Sequence, residues 1–343
     1  MARDRPARPS IADVAAAAQV SVGTVSNALN RPEKVRPATR QRIEAAIAEL
    51  GFAPNGSARR LRTGSLTAVG VVVLDVRNPF FTEMARGIED QVEDRGWTLM
   101  LASSDQRVER EQRALDLFTE HGVAGVIAVP ASEDLTALER LESRGTPVVL
   151  LDHPSPSAQL PSVAVDNVSG GRLAAAHLFG QGHRQLVMFN GPHSVRQCRD
   201  RWEGALAAAV GAGLDPAESV SQVLLDSMDI EGGAEAGRQW LAAHGGRQPE
   251  AVFCVNDLVG IGLQRALREA GFDPARSAIV GYDDTDLARE IALPLTSVVQ
   301  PTYEMGRRAA GLLLQVRAQG VVEHVVFQPE LVIRASSSPP GQS

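Results

Sequence analysis

The segment from Val20 to Asn30, VSVGTVSNALN, indicates the architecture of the N-terminal region. Ser21 has the side chain of a helix N-cap, and the residues after it can form a helix to about Leu29. Only Val25 and Leu29 give this helix an apolar face, so it buries little of its surface within its own domain. The opposite face carries small and polar residues that can contact a partner: Val22, Gly23, Ser26 and Asn27.

A second short helix is predicted before this segment. Ser10 and Asp13 have the spacing of a capping-box variant, which predicts a helix to about Ala18. Gln19 and Val20 then form a tight turn. Two short helices joined by a turn of about three residues make a helix-turn-helix unit, whose second helix enters the DNA major groove.

A third helix completes this small domain. Pro37 stands where a first helical turn tolerates proline, Ile43, Ile47 and Leu50 recur at helical spacing, and Gly51 ends the helix. Three helices of this size can form only a small core. Its predicted members are Ile11, Val14, Val20, Val25, Leu29, Ile43, Ile47 and Leu50.

Charge is unevenly distributed along the chain, whose net charge is −7. Residues 1–66 contain eleven basic and five acidic side chains, a net charge of +6, which leaves −13 for the remaining residues. A basic head on an acidic body indicates that the head binds a polyanion. The alternative is a charged segment that is merely solvated.

The exposed face of the central helix suits contacts to DNA bases. Small residues at its start allow backbone N–H groups to approach phosphates, and Asn27 can form two hydrogen bonds with adenine. The alternative is that Val22 is an ordinary surface residue and Asn27 a capping residue.

From Thr67 onward, apolar segments alternate with helical ones, which predicts parallel sheets covered by helices on both faces. About a dozen strands are too many for one small sheet, so we expect an α/β body of two doubly wound lobes. Strand segments include TAVGVVVL, WTLMLA, VAGVIAV, PVVLL, QLVMFN, EAVFCV and SAIVGY. Helices are predicted at roughly residues 79–95, 107–121, 132–143, 169–181, 195–212, 234–244 and 256–271.

Polar residues that follow these strands predict a ligand site. Ligands of open parallel sheets bind beyond the carboxyl ends of the strands, and two facing lobes form a cleft there. Carboxylates, an amide and a guanidinium in one cleft suit a hydroxyl-rich ligand. The candidates are Asp75, Asp152, Asn256, Asp257, Asp283 and Asp284, with Arg199 and Arg201 on the helix after MFNGP.

Each acid could instead cap a helix. We favour capping for Asp257 and Asp284, and both interpretations stay open for Asp75 and Asp166.

Motifs along almost the whole chain resemble the LacI/GalR family of bacterial repressors. The head segment IADVAAAAQVSVGTVSNALNRPEKVRPATRQRIEAAIAELGFAPNGSARRLRTG is similar to the DNA-binding region of that family. The body motifs follow in the family's order: VGVVVLDVRNPFF, VAVDNVSGGRLAAAHL, VNDLVGIGLQRAL, VGYDDTDLA and LTSVVQP.

The resemblance implies that NGSARRL, residues 55–61, is a hinge helix that forms when two subunits lie side by side on an operator. Leu61 would enter the minor groove at the operator centre and bend the duplex. The DNA-binding residues are expected to be Ser10, Ser21, Val22, Gly23, Thr24, Ser26, Asn27, Asn30, Thr39, Asn55, Ala58, Arg59, Leu61 and Arg62.

The resemblance also favours six residues for an effector site in the cleft, namely Arg201, Asp283, Asn256, Asp152, Phe80 and Phe81. Met228 stands where many relatives have an aromatic ring. The expected effector-binding residues are Asp75, Phe80, Phe81, Asp152, Arg199, Arg201, Met228, Asn256, Asp283 and Gln300.

The domain boundaries follow from the same comparison, with chain crossings between the lobes near Asp166, Leu293 and Phe327. We expect a DNA-binding domain at 9–54, a hinge and linker at 55–65, a body at 66–335 and a disordered tail at 336–343. The first lobe would comprise 66–165 and 293–326, and the second 166–292 and 327–335. The tail has no heptads, which favours a homodimer over a coiled-coil tetramer.

Enzyme, metal and membrane interpretations lack sequence support. No G-x-S-x-G, Walker or G-x-G-x-x-G motif follows a strand, and the seven histidines form no H-x-x-x-H or H-x-x-H pair, so we expect neither catalysis nor a cofactor nor a metal. No stretch of 18 apolar residues and no signal sequence occurs, which predicts a soluble cytoplasmic protein.

The expected function is a sequence-specific transcriptional repressor. A small polar ligand, such as a sugar, would bind in the cleft and release the protein from a pseudo-palindromic operator. The alternative within the family is a regulator that binds DNA only with its ligand. The alternatives from other classes are a solute-binding protein and an α/β enzyme acting on sugars or phosphates.

Overall fold

The structure, a computed structural model, describes residues 9–52, 68–156 and 159–338. The chain divides into two compact units, a head within Met1–Leu66 and a body within Thr67–Ser343. Helices and strands are numbered below in chain order.

The head contains three helices, α1 (Ile11–Ala17), α2 (Val22–Asn30) and α3 (Pro37–Leu50), with a 3-10 turn at Pro32–Lys34. These bounds agree with the predicted helices to within one or two residues. The core is also the predicted one in outline, since Val14, Val25 and Ile43 are fully buried. Three alanines that the prediction omitted complete it: Ala15, Ala18 and Ala46.

Local hydrogen bonds define the starts of α1 and α2. Ser10 Oγ accepts from the Asp13 N–H, and the Asp13 carboxylate accepts from the Ser10 N–H at 2.7 Å, which completes a capping box. Ser21 Oγ accepts from the Thr24 N–H at 3.1 Å. Gln19 closes the turn between the helices with a φ of +53°, a left-handed conformation that is uncommon outside glycine.

The body contains two six-stranded sheets, which confirms the predicted α/β class. The strands are β1 (Ala68–Val73), β2 (Thr98–Ser103), β3 (Val126–Ala128), β4 (Val148–Leu151), β5 (Ser162–Val165), β6 (Leu186–Asn190), β7 (Val220–Leu224), β8 (Ala251–Cys254), β9 (Ala278–Asp283), β10 (Thr296–Val299), β11 (His324–Phe327) and β12 (Glu330–Val332). The first lobe has the order β11-β5-β4-β3-β1-β2, and the second β12-β10-β9-β8-β6-β7. Among these pairs only β10–β12 is antiparallel.

Helices cover the sheets of both lobes. They are α4 (Pro79–Glu93), α5 (Val108–His121), α6 (Thr136–Ser143), α7 (Asn167–Gly180), α8 (Arg196–Gly211), α9 (Pro216–Ser219), α10 (Ile230–Ala243), α11 (Asp257–Glu269), α12 (Asp286–Glu290) and α13 (Thr302–Gln319). Helix α13 was absent from the sequence prediction. None of the helices in the described ranges combines the length and the hydropathy needed to cross a bilayer.

The predicted second crossing between the lobes, near Leu293, is wrong. Thr296–Val299 pairs with Val280–Asp283 and therefore extends the second sheet. The chain leaves that lobe only after Val299, and α13 then packs on α4 of the first lobe. The short segment TSVV, residues 296–299, joins the second sheet because its backbone N–H and C=O groups find hydrogen-bond partners beside β9.

Glycines bring pairs of helices into direct backbone contact. A Cβ on Gly87 would collide with the Tyr303 carbonyl, which explains the close packing of α4 on α13. In the second lobe, a Cβ on Gly171 would collide with the Arg201 backbone, and one on Gly204 with the Val168 carbonyl. The tight α7–α8 contact therefore fixes the position of Arg201.

Candidate functional site

The carboxyl ends of strands from both lobes meet around one small cavity. Its volume is about 50 Å³, which is room for only a few water molecules at roughly 10–15 Å³ each. Eight expected residues line it: Asp75, Phe80, Phe81, Asp152, Arg201, Met228, Asn256 and Asp283. Seven further residues line it as well: Leu74, Asn78, Gln106, Val195, Gln197, Cys198 and Val255.

Two pairs of residues form hydrogen bonds from lobe to lobe at this cavity. Gln197 Nε2 of the second lobe donates to Asp152 Oδ2 of the first at 2.8 Å. Asn78 Nδ2 of the first lobe donates to Asp283 Oδ2 of the second at 3.2 Å. Each lobe therefore supplies one carboxylate and the amide that binds the other lobe's carboxylate.

The sequence prediction missed both amides, although each has a local signal. Asn78 precedes Pro79 and caps α4, since its Oδ1 accepts from the Phe80 N–H at 3.0 Å. Gln197 lies four residues before Arg201 on α8, which places both side chains on the same helix face.

Arg201 is a buried guanidinium, 5% exposed. Its Nε donates to Asn167 Oδ1 at 2.8 Å, and its Nη1 donates to the Val255 carbonyl at 2.6 Å. The guanidinium carbon lies 3.5 Å from the centre of the Tyr282 ring. Nη2 approaches Asp283 Oδ1 at 4.0 Å. Burial opposes its charge, but Tyr282 and the carboxylates of Asp283 and Asp152 raise its pKa above the ordinary value.

The two cleft carboxyls have shifted pKa values. Burial raises the pKa of Asp152 to about 7, against the opposing effects of Arg201 and the Gln197 hydrogen bond. Burial likewise raises the pKa of Asp283 to about 6, and Arg201, Asn78 and Gln300 limit that rise. Near neutral pH both carboxyls therefore exist partly in the protonated and partly in the ionised form. Such shifted pKa values are common at functional sites.

Both aspartates also have unusual backbone conformations. The φ angle is +53° at Asp152 and +103° at Asp283. Such angles store strain in residues other than glycine, and they cluster at ligand sites. Asp152 Oδ1 is buried and has no hydrogen-bond partner among the described residues.

Asp75 and Asn256 line the cavity while their side chains bond to protein groups. Arg77 donates to both oxygens of Asp75, at 3.0 and 3.1 Å from Nε. Asn256 Oδ1 accepts from the Val259 N–H and caps α11, and its Nδ2 donates to the Met228 carbonyl at 2.9 Å. Asn256 therefore supports the wall of the cavity.

The other walls are apolar. Phe80 and Phe81 form an edge-to-face pair with ring centres 5.1 Å apart. Opposite them in the second lobe, Cys198 Sγ lies 3.4 Å from Met228 Sδ. Burial raises the pKa of the Cys198 thiol to about 12, which leaves it protonated and apolar at neutral pH.

Two of the expected residues lie outside the cavity lining. Arg199 Nη2 contacts Glu133 Oε1 of the first lobe at 3.0 Å, on another side of α8. Residues two apart on a helix do not share a face, which separates Arg199 from Arg201. Gln300 lies behind Asp283 and donates to its Oδ1 at 2.9 Å.

Asp257 and Asp284 do not cap helices, contrary to our expectation. The buried Asp257 carboxylate accepts from the Thr285 N–H at 2.7 Å and from Ser297 Oγ at 2.6 Å. Asp284 pairs with Arg289 and Arg334. Asp257 therefore links the start of α11 to β10 and to the start of α12. Asp284 links the segment after β9 to α12 and to Arg334.

Asp166 does cap a helix. Its carboxylate accepts from the Ser169 N–H at 2.9 Å at the start of α7.

The head presents the predicted face of α2 to its surroundings. Val22 is 46% exposed, and Gly23 and Asn27 are exposed as well. Ser26 and Thr24 are half-buried, and Thr39 lies in the first turn of α3. Asn30 is the last residue of α2. Five expected DNA-binding residues lie outside the described ranges: Asn55, Ala58, Arg59, Leu61 and Arg62.

The described residues contain no group of three or more His, Cys, Asp or Glu side chains that could hold a metal ion.

Family models match both parts of the chain. Residues 10–55 match the bacterial regulatory proteins of the lacI family, and residues 66–331 match the periplasmic binding proteins and sugar binding domain of the LacI family. The chain belongs to the LacI family. It is a DNA-binding transcriptional regulator, in which a helix-turn-helix head precedes an effector-binding body.

Relatives of this LacI-family chain match over nearly its whole length. The HTH-type transcriptional repressor CytR of Escherichia coli (strain K12) is 31% identical over 98% of both chains. The structure of the transcriptional regulator CelR in complex with cellobiose is 31% identical with a TM-score of 0.69, over 96% of this chain and 100% of that one. The lac repressor dimer bound to operator and the anti-inducer ONPF is 26% identical with a TM-score of 0.75, over 96% and 99%. These relatives are regulators rather than enzymes.

Proposed function

We propose that this LacI-family regulator is a homodimeric repressor that leaves its operator when a small hydroxyl-rich ligand, a sugar or sugar derivative, binds between the lobes. One observation carries the proposal. Asp152 and Asp283 come from different lobes, are buried at 2% and 6% exposure, and bond across the cleft to amides of the opposite lobe. A ligand that binds these carboxylates must change how the lobes meet.

The size of the cavity supports a conformational step. A space of about 50 Å³ does not admit a monosaccharide, since ligand pockets typically measure about 300–1,000 Å³. Binding therefore requires the lobes to separate and then to close on the ligand, replacing the direct amide–carboxylate bonds with bonds to hydroxyl groups. In this proposal, that rearrangement is the event that the DNA-binding head senses.

The exposed face of α2 is the proposed reader of the operator. Ser21 and Thr24 order the first turn of the helix, where backbone N–H groups can bind a phosphate. Asn27 is proposed to contact a base, and Leu61 is proposed to enter the minor groove between the two subunits. Because the target is DNA, we place the protein in the cytoplasm, and we infer that the cleft binds its ligand without catalysing a reaction.

Coupling between the two sites gives the decisive test. An operator is first selected from a random duplex pool, and its affinity for the full chain is measured by fluorescence anisotropy at several salt concentrations. We expect affinity to fall steeply with salt, because several phosphates are neutralised. Sugars that raise the melting temperature of the protein are then added to the complex.

We expect a stabilising sugar to weaken operator binding, and the operator to weaken sugar binding by the same factor. A sugar that tightens operator binding would instead make the protein a corepressor-dependent regulator. A sugar that binds the body without changing operator affinity would contradict the proposed function. Turnover of the bound sugar that vanishes in Asp283→Ala would contradict the inference that the cleft is not catalytic.

A further inference from the structure

Acidic side chains outnumber basic ones around the cleft. Three carboxyl groups line it, those of Asp75, Asp152 and Asp283, against one guanidinium, that of Arg201. Because the site is buried, electrostatic interactions in it are stronger than in water. The charge of a bound ligand is therefore a strong determinant of affinity here.

Arg201 is largely committed to protein groups. Two of its nitrogens donate to Asn167 and to the Val255 carbonyl, and its guanidinium carbon lies over the Tyr282 ring, 3.5 Å from the ring centre. The remaining nitrogen, Nη2, lies toward Asp283 at 4.0 Å. Its positive charge thus balances carboxylates that are already present.

The other arginines near the described part of the cleft are also paired. Arg77 contacts Asp75, Asp105 and Asp229, at 2.8, 3.7 and 3.4 Å. Arg199, on another side of α8, pairs with Glu133 at 3.0 Å.

The unsatisfied polar group of the cavity lining is a hydrogen-bond acceptor. Asp152 Oδ1 is buried without a partner among the described residues. A buried acceptor that stays unpaired is costly, so a ligand that supplies a hydroxyl or ammonium hydrogen gains affinity. A phosphate would add acceptors and negative charge where neither is matched.

We propose that the cleft selects ligands that donate hydrogen bonds and carry no negative charge, namely neutral sugars, amino sugars or nucleosides, and that it rejects their phosphorylated forms. This inference rests on the proposed function, because it concerns the ligand of the same cleft. The proposal separates unphosphorylated ligands, which the cleft would bind, from phosphorylated ones, which the carboxyl groups of Asp152 and Asp283 would disfavour.

Matched ligand sets test the proposal with the full chain. The sets are glucose, glucosamine, glucose 1-phosphate and glucose 6-phosphate; ribose and ribose 5-phosphate; cellobiose; and cytidine and adenosine with their 5′-monophosphates. The two glucose phosphates place the charge at opposite ends of the sugar. Melting-temperature shifts identify binders, and calorimetry then gives each Kd.

We expect at least one unphosphorylated compound to bind, and its phosphorylated partner to bind at least tenfold more weakly. The affinities are measured at about pH 8, above the pKa of about 7 of Asp152, so that its carboxyl is ionised. In Asp152→Asn, which removes that negative charge and keeps the shape, we expect the ratio between the two affinities to shrink at least threefold. Asp116→Asn changes an acid on the surface of α5 and serves as the matched control, with the ratio unchanged.

A phosphorylated compound that binds as tightly as its parent would overturn the ligand class, and so would the absence of binding by every unphosphorylated compound. An unchanged ratio in Asp152→Asn, in a variant that melts as a folded protein, would overturn the role of that carboxylate. None of these results depends on DNA. The proposed function fails separately, if a ligand that binds the cleft leaves operator affinity unchanged.

Discussion

Gln197 donates a hydrogen bond from its Nε2 to Asp152 Oδ2 across the boundary between the two lobes, at 2.8 Å, and also to the Asp152 carbonyl at 2.7 Å. Both residues are buried. Forty-five positions of sequence separate them, and they meet only because the carboxyl end of β4 faces the first turn of α8. The reciprocal bond runs from Asn78 to Asp283, so each lobe donates one amide hydrogen bond to a carboxyl group of the other.

Gln197→Met should remove this contact while keeping the length of the side chain. We expect the free energy of unfolding of the body to fall by about 1–3 kcal/mol, because a buried acceptor is left unpaired. Urea unfolding measures it. Gln112→Met is the matched control, since Gln112 Nε2 donates to Asp116 Oδ1 at the same 2.8 Å but on the surface. A loss in the control as large as that in Gln197→Met would show that the buried bond is not special.

Arg201→Lys should destabilise the body although it keeps the charge. Lysine cannot reproduce the planar fork that reaches both Asn167 and the Val255 carbonyl. We expect a loss of at least about 1.5 kcal/mol in urea unfolding, the usual contribution of a hydrogen bond to a charged group. The same change at Arg86, an exposed residue of α4, is expected to stay within about 0.5 kcal/mol. Equal effects at both positions would contradict the structural role of Arg201.

Stability of the body should depend on pH through its buried carboxyls. Burial raises the pKa of Asp257 to about 8, and the nearby Asp283 adds to this rise. Since the folded state holds this proton above the pH at which the unfolded chain releases it, the protonated group stabilises the fold at low pH. Its contribution falls as the pH rises from about 4 to about 8, by up to about 1.4 kcal/mol per pH unit.

Asp257→Asn removes this titration. We therefore expect the wild-type protein to lose stability relative to the variant as the pH rises through that window, in urea unfolding measured at several pH values. A constant difference between the two proteins would show that Asp257 titrates alike in the folded and unfolded states.

Ser21 combines a structural role with a proposed role at DNA, and two substitutions separate them. Ser21→Ala removes the cap of α2 and should lower the stability of the head by about 0.5–2 kcal/mol. Ser21→Asp keeps a capping oxygen but places a negative charge beside the proposed phosphate site. We expect Ser21→Asp to melt like the wild-type head and to bind operator DNA at least tenfold more weakly. DNA affinity that simply follows the melting temperature would restrict Ser21 to capping.

Asn27→Ala should relax the preference for one base pair of the selected operator, at a cost of about 1–3 kcal/mol. The affinity for an operator changed at that base pair should be nearly the same as for the original. Competition anisotropy with a set of single-base-pair variants gives the comparison. Losses that are equal for every duplex would show that Asn27 contacts the backbone only.

Short-range chemistry made much of this protein predictable. The serines at 10 and 21 cap the helices that their spacing predicts, and the alternation of strands and helices predicts two parallel-sheet lobes. Polar residues at the ends of apolar segments identified Asp75, Asp152 and Asp283, because parallel strands bring their carboxyl ends to one edge. The helix periodicity would also have separated Arg199 from Arg201 and joined Gln197 to Arg201.

Capping, periodicity and strand direction are local properties, and they are sufficient to predict the helix-turn-helix head, the class of the body and the carboxylates of the cleft. Long-range packing determines which amide meets which carboxylate, that Asp257 and Asp284 bond to neighbouring elements instead of capping helices, and that the chain leaves the second lobe after β10. These features depend on contacts between residues up to 205 positions apart. Their partners are selected by how strands pair and lobes close, and no local pattern records that choice.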